Sequence, residues 1–155
     1  MEYSFTYETI IGKITITECD LQITSIDFGE SDAKQSTRKE TPFMKEARKE
    51  LEEYFKGTRK TFTLPLSLEG TPFQKKVWQV LMTIPYGKTM TYKQVAEAIG
   101  NPKACRAVGL ANNRNPIPII VPCHRVIGSN GKLVGYAGGL HIKEKLLEME
   151  QNKVC

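Results

Sequence analysis

The sequence predicts an α+β protein in two parts: a small antiparallel sheet with one helix over residues 1–70, then a mostly helical domain over residues 71–155 containing a helix-turn-helix. Three observations carry this expectation. Apolar and polar residues alternate in short bursts between residues 2 and 28, the period of half-buried strands. From Pro42 onward the apolar residues recur every fourth position instead, the period of a helix face. Beyond Thr71 the chain is punctuated by Thr-x-x-Gln and Asn-Pro signals that open short helices.

A chain of 155 residues buries a core without disulfide or metal staples. It holds no run of about 18 apolar residues, so no membrane-spanning helix is expected. Met1-Glu2-Tyr3-Ser4-Phe5 lacks the basic and apolar regions of a secretion signal, which points to the cytoplasm and to reduced cysteines. Cys19, Cys105, Cys123 and Cys155 show no CxxC spacing, and His124 and His141 stand far apart; no metal and no cofactor are expected. The net charge of +5 is uneven. Residues 1–71 carry 10 Lys and Arg against 13 Asp and Glu, whereas residues 72–155 carry 12 against 4. A basic second half suits a polyanionic partner, although on charge alone a solvated surface is the favoured account.

In the first part, Tyr3–Tyr7, Ile14–Thr17 and Leu21–Phe28 read as three strands of a meander, with turns at Gly12-Lys13 and Cys19-Asp20. Residues 29–41 are polar and turn-like. Phe43, Ala47, Leu51 and Phe55 mark the buried face of a helix that stops at Gly57. Thr61–Leu66 fits a short edge strand, and Ser67–Gly70 a linker. No catalytic cluster stands out here, so this part reads as a scaffold.

In the second part, Thr71-Pro72-Phe73-Gln74 is a capping box with proline at the first helical position, and Val77, Trp78 and Leu81 form the buried face of the helix it starts. Pro85-Tyr86-Gly87-Lys88 breaks that helix. Thr91-Tyr92-Lys93-Gln94 opens a second helix ending at Gly100, and Asn101-Pro102 opens a third reaching about Asn112. The pair has helix-turn-helix form, a weak signal as a bare pattern. The third helix, Lys103-Ala104-Cys105-Arg106-Ala107-Val108-Gly109, displays small side chains rather than the long polar ones that read a major groove. Either its backbone approaches a shallow minor groove, or the small residues pack against the second helix and Arg106 is a solvated charge.

The candidate centre is Val121-Pro122-Cys123-His124-Arg125, approached by Asn115-Pro116-Ile117-Pro118-Ile119-Ile120. Prolines at 116, 118 and 122 fix φ and remove donors, so the segment is expected to be extended. An adjacent imidazole and a nearby cation lower a thiol's pKa, which fits a reactive Cys123; taken locally, a buried cysteine packing as a small hydrophobe is as good an account. Val126-Ile127 continues extended to the turn Gly128-Ser129-Asn130-Gly131. The Gly135-Tyr136-Ala137-Gly138-Gly139 loop then leads to a last helix from about His141, burying Ile142, Leu146 and Met149, with Glu150 near its end.

Residues 72–150 resemble the C-terminal domain of the O6-alkylguanine-DNA alkyltransferases, also called methylated-DNA–protein-cysteine methyltransferases. The resemblance rests on Phe73-Gln74-Lys75-Lys76-Val77-Trp78, Pro85-Tyr86-Gly87, Thr91-Tyr92, Gly100-Asn101-Pro102-Lys103-Ala104, Arg106-Ala107-Val108-Gly109 and Asn115-Pro116. It runs on through Ile119-Ile120-Val121-Pro122-Cys123-His124-Arg125-Val126-Ile127 and Gly135-Tyr136-Ala137-Gly138-Gly139-Leu140 to Lys143-Glu144 and Leu146-Leu147. For residues 1–70 the family implies a ribonuclease-H-like sheet-and-helix domain.

What the resemblance implies is repair of O6-alkylguanine, with O4-alkylthymine as a secondary candidate, in double-stranded DNA by one irreversible transfer to Cys123, on a monomeric protein. His124 would act as base through a water, and Glu150 would orient the imidazole. Tyr92 would donate to guanine N3, and the Ala137 backbone N–H would address O6. The carbonyls of Cys123 and Val126 would accept from the exocyclic amine, and Tyr136 would wall the pocket. Asn115 would tie the helix-turn-helix to the active-site segment. Arg106 would fill the stack left by the flipped base, with Lys103, Ala104, Cys105, Ala107 and Gly109 along the minor groove. Ala137 stands where a hydroxyl residue is common in the family, and Cys105 where alanine is usual. The rival readings are a lesion sensor without transfer, a helix-turn-helix regulator and a cysteine peptidase. Sensors of this kind lack the cysteine; a regulator needs a further effector region; adjacent Cys and His do not by themselves build an acyl-transfer site.

Overall fold

A computed structural model describes residues 1–30, 36–136 and 138–151. It divides into two compact units, Met1–Leu68 and Glu69–Cys155.

The first unit is built on β1 (Glu2–Thr9), β2 (Gly12–Cys19), β3 (Gln22–Phe28) and the short β4 (Thr37–Arg38), in the order β3-β2-β1-β4. β1 and β2 pair antiparallel, as do β2 and β3. β4, which falls in the stretch expected to be turn-like, lies parallel beside β1 at Tyr3 and Ser4. The two tight turns are displaced from their expected places. The first is at Ile10-Ile11, where the Thr9 hydroxyl accepts from the Ile11 N–H and donates to the Gly12 carbonyl. The second is at Asp20 and Leu21, with φ of 51° and 61°, the left-handed pair that suits a twisted two-residue hairpin.

The helix α1 (Pro42–Phe55) starts at the Thr41 N-cap and buries Met44, Ala47, Leu51 and Tyr54. Phe43 and Phe55, expected on that face, sit at its margins. Residues 61–66 add no strand; Leu66 makes one bridge to Ile23. Pro65 has no N–H to offer a ladder, and its carbonyl accepts from Ile23 N instead. Buried Glu50 pins this return segment by accepting from the Thr63 N–H at 2.9 Å and the Thr63 hydroxyl at 2.6 Å.

The second unit holds α2 (Pro72–Leu81), β5 (Met90–Thr91), α3 (Tyr92–Ala98), α4 (Cys105–Asn113), a 3-10 turn at Cys123–Arg125, β6 (Val126–Ile127) and α5 (Leu140–Gln151). Both capping boxes close, at Thr71 with Gln74 and at Thr91 with Gln94. The helix α4 begins three residues later than the Asn-Pro signal suggests. Asn101–Ala104 is instead a tight turn, with Ala104 N donating to Asn101 O at 3.0 Å. Trp78, 1 % exposed, donates its indole N–H to the Ala111 carbonyl and fixes α4 on α2. Parallel pairing of β5 with β6 joins Met90 to Val126 and Thr91 to Ile127, so the start of α3 meets the strand that leaves Cys123–Arg125. Among the described residues no helix is long and apolar enough to cross a membrane.

Candidate active site

The segment leading to Cys123 is folded back on itself rather than extended. Asn115 accepts from the Ile117 N–H at 2.9 Å and donates to the Val121 carbonyl at 2.7 Å, clamping both ends of a loop. Inside this clamp buried Ile119 is held at φ 74°, a conformation that a β-branched residue avoids. Pro122, at φ −80° and ψ 65°, makes an inverse γ-turn in which Cys123 N donates to Val121 O. The prolines disfavour helix only for the residues before them. After Pro122 the chain is free to turn, and Cys123–Arg125 form a 3-10 turn closed by Arg125 N donating to Pro122 O.

That turn buries the Cys123, His124 and Arg125 side chains together. His124 Nε2 lies 2.6 Å from Glu150 Oε2 on α5. Arg125 grips the same carboxylate twice, Nε to Oε1 at 2.7 Å and a terminal nitrogen to Oε2 at 2.9 Å. Its other terminal nitrogen donates to Ile84 O at 2.7 Å, and its plane lies over the Tyr86 ring. Glu150 itself is 4 % exposed. The turn Pro85–Gly87 can lie against it because residue 87 is glycine: its φ is +81°, and an added Cβ would stand 3.2 Å from the Glu150 carbonyl.

The charges are graded. Burial opposes ionisation of Glu150, but His124 and Arg125 outweigh it and hold the carboxyl down at about 2. Burial, assisted by Arg125 and Lys143, pushes the His124 imidazole below its usual value against the pull of Glu150, so the ring is neutral near pH 7. With Nε2 facing the carboxylate, Nδ1 is buried with no hydrogen-bond partner among the described residues. Burial also pushes the Cys123 thiol up to about 11, opposed by its hydrogen bond with Asn115 and by the Lys143 charge. At neutral pH a thiol so placed keeps its proton.

Two tyrosines feel the charge of Cys123. Tyr92, at the first residue of α3, donates its hydroxyl to the Val134 carbonyl at 2.8 Å. Burial, and then the Cys123 charge, raise its pKa. Tyr136 is raised further, chiefly by burial, with Cys123 and Glu150 adding to the effect. The Cys123 carbonyl accepts from Asn112 Nδ2 at 3.3 Å and from Val126 N, which occupies both of its lone pairs. Ala137, assigned to O6 by the resemblance, lies outside the described residues.

On α4 the sequence-expected DNA face is open. Lys103, Arg106 and Ala107 are exposed, and Ala104, Cys105 and Gly109 are half-buried, whereas Val108 packs inward. The Arg106 guanidinium has no ion-pair partner among the described residues. Leu110, one turn beyond Arg106, is 59 % exposed. Among the described residues no three His, Cys, Asp or Glu side chains are grouped as metal ligands.

Three contributors escaped the sequence reading: Asn112, Arg125 and Lys143. Arg125 was visible only as a cation near the thiol, and Asn112 gave no signal. Lys143 had one, because it shares a helical stripe with Leu146 and Glu150, a position where a lysine is out of place.

Comparison with known proteins identifies the family. Residues 72–152 match the family described as 6-O-methylguanine DNA methyltransferase, DNA binding domain, and residues 3–68 match its ribonuclease-like domain. The chain is 50% identical to the constitutive methylated-DNA–protein-cysteine methyltransferase of Bacillus subtilis, with 97% of this chain and 96% of the relative covered. It is 52% identical to the methylated-DNA–protein-cysteine methyltransferase of Methanosarcina barkeri, covering 95% and 96% respectively. The crystal structure of Mycobacterium tuberculosis OGT in complex with DNA superposes with a TM-score of 0.91 at 44% identity, over 97% of this chain and 93% of that one. With both halves matched in order and the thiol, imidazole and carboxylate gathered at one turn, the chain belongs to the methylated-DNA–protein-cysteine methyltransferase family.

Proposed function

We propose that this protein repairs DNA by moving the alkyl group of O6-alkylguanine onto Cys123, once per molecule. The observation that carries the reading is the buried His124–Glu150–Arg125 network held one residue from a buried thiol. The carboxylate fixes the imidazole by one nitrogen and leaves Nδ1 to take the thiol proton through a water. The arginine keeps that carboxylate ionised.

The alkylated base must leave the stack to reach a buried sulfur. Arg106 fills the space it vacates, while Lys103, Ala104, Cys105, Ala107 and Gly109 follow the minor groove. Tyr92 exchanges its bond to the Val134 carbonyl for one to guanine N3. Tyr136 walls the pocket. Because the Cys123 carbonyl is already occupied, the Val126 carbonyl is the acceptor assigned to the exocyclic amine; the Ala137 N–H is assigned to O6.

In the transfer, the S–C bond forms as the C–O6 bond breaks, and the electron pair passes into the guanine ring. A proton gained at N3 balances the one lost by the thiol. The thioether has no activated carbonyl for water to attack, so Cys123 is not regenerated. Residues 1–70 act as scaffold and residues 71–155 as the DNA-binding and transferring part. The protein works as a monomer, inside the cell where its substrate is, and O4-alkylthymine is a secondary candidate substrate.

The test is mass spectrometry after incubation with duplex containing O6-methylguanine. One methyl group should be found on the peptide containing Cys123, at a ceiling of one per protein. Turnover beyond one, or label on another residue, would overturn the reading.

A further inference from the structure

The buried face of α4 consists of Val108, Ala111 and Asn112. Only the last is polar, and it is 1 % exposed. Its amide nitrogen donates to the Cys123 carbonyl at 3.3 Å. That carbonyl can only accept, so the amide has one possible orientation and its oxygen is turned away from the carbonyl. The oxygen, Oδ1, is buried with no hydrogen-bond partner among the described residues.

An unpartnered amide oxygen inside a protein is costly, and a leucine would fill a similar volume without that cost. The residue is not free to move toward water to relieve it. The carbonyl just before it, that of Ala111, accepts from the Trp78 indole at 2.9 Å and holds this turn of α4 on α2.

Its place along the helix indicates which donor would meet it. Tyr92, the residue assigned to guanine N3, packs on the same side of α4. A Cβ at Gly109 would stand 3.9 Å from the Tyr92 ring, and Gly109 precedes Asn112 by three residues, one helical turn. In guanine, N3 and the 2-amino group are both bonded to C2. A base that presents N3 to Tyr92 therefore brings its 2-amino group to this part of α4. That amine carries two N–H bonds. The Val126 carbonyl is assigned one of them. The Cys123 carbonyl is filled by Asn112 and by the Val126 N–H, which leaves the second without an acceptor.

We propose that Asn112 Oδ1 accepts this second N–H, making Asn112 a specificity-determining residue that favours alkylated guanine over bases lacking the 2-amino group. This rests on the reading of Cys123 as alkyl acceptor. One amide then works at both ends: its nitrogen holds the Cys123 carbonyl, and its oxygen holds the base whose alkyl carbon that cysteine attacks. A buried acceptor that the wrong base leaves unpaired discriminates more strongly than packing alone.

The experiment compares single-turnover methyl transfer from two duplexes of one sequence, holding O6-methylguanine or O6-methylhypoxanthine, which differ only in the 2-amino group. The native protein should prefer guanine. In Asn112→Leu the ratio of the two rates should fall roughly tenfold, the factor of one neutral hydrogen bond. Loss of the tether to Cys123 slows both reactions alike and cancels in the ratio. A native protein indifferent to the amine, or a folded Asn112→Leu protein that keeps the native ratio, would overturn the proposal. If the variant does not fold, carbon NMR of the Asn112 side-chain carbonyl is read in Cys123→Ser bound to each duplex. A shift with O6-methylguanine that is absent with O6-methylhypoxanthine is expected, and equal shifts would sink the assignment. Native protein that places no methyl group on Cys123 from either duplex is a different failure: it removes the alkyl-acceptor reading, and the role of Asn112 with it.

Discussion

Glu150 holds two partners at once, and the two bonds do different things. Its contact with His124 sets which imidazole nitrogen is left for the thiol proton, whereas the double bond from Arg125 keeps the carboxyl ionised. Glu150→Gln keeps the shape and removes the charge. Alkyl transfer should slow by roughly ten- to a hundredfold, the range of a lost base orienter, with duplex affinity within about twofold of native. Single-turnover transfer and fluorescence anisotropy check this. The substitution also strands the buried Arg125 charge at a cost of about 3 kcal/mol. The double variant Arg125→Met/Glu150→Gln should therefore regain stability without regaining rate, and a recovery of rate would show that charge balance alone was at issue.

At the scale of elements, the site is a junction. The 3-10 turn carries the thiol and imidazole, α5 the carboxylate and Lys143, and α3 begins at Tyr92 because β5 is paired with the strand leaving the turn. α4 is tied to the same turn by Asn112, whose amide donates to the Cys123 carbonyl, so the helix assigned to DNA is bonded directly to the residue assigned to chemistry. Arg106 stands on the open face of that helix and takes no part in the core. Arg106→Ala should leave transfer from free O6-benzylguanine within about twofold of native while slowing repair of duplex by more than tenfold, because unfilled stacking in the flipped state costs a few kcal/mol. Parallel single-turnover assays on the two substrates check it; equal losses would remove the role.

On the scale of the whole molecule, acid should weaken the second unit in two steps. His124 is depressed, so the unfolded chain binds its proton first and stability begins to fall as pH drops below about 6.5. Glu150 is depressed from 4.5 to about 2, so its contribution is complete above 4.5 and is lost as pH falls toward 2, amounting to roughly 3 kcal/mol. Trp78 is the single tryptophan and is buried in the second unit, so its fluorescence in urea titrations reports that unit alone. The lower step should flatten in Glu150→Gln.

What the sequence determined by itself was local or motif-borne. Period and capping chemistry located β1, β2, β3, α1, α2 and α3, since these depend on neighbours a few residues away, but not β4. The Pro-Cys-His-Arg run and its flanking Asn-Pro pointed to the family before any geometry was known. Tertiary structure decided the rest. It folded the proline-rich approach around Asn115 where an extended strand was expected, and started α4 at Cys105 rather than at Asn101-Pro102. It closed α5 over the 3-10 turn, making Glu150 the buried partner of the His124 imidazole and the Arg125 guanidinium. The physical reason is sequence distance. Glu150 lies 26 residues from His124, and whether a charged side chain is solvated or buried is settled by which elements close over it, not by its own neighbours in the chain.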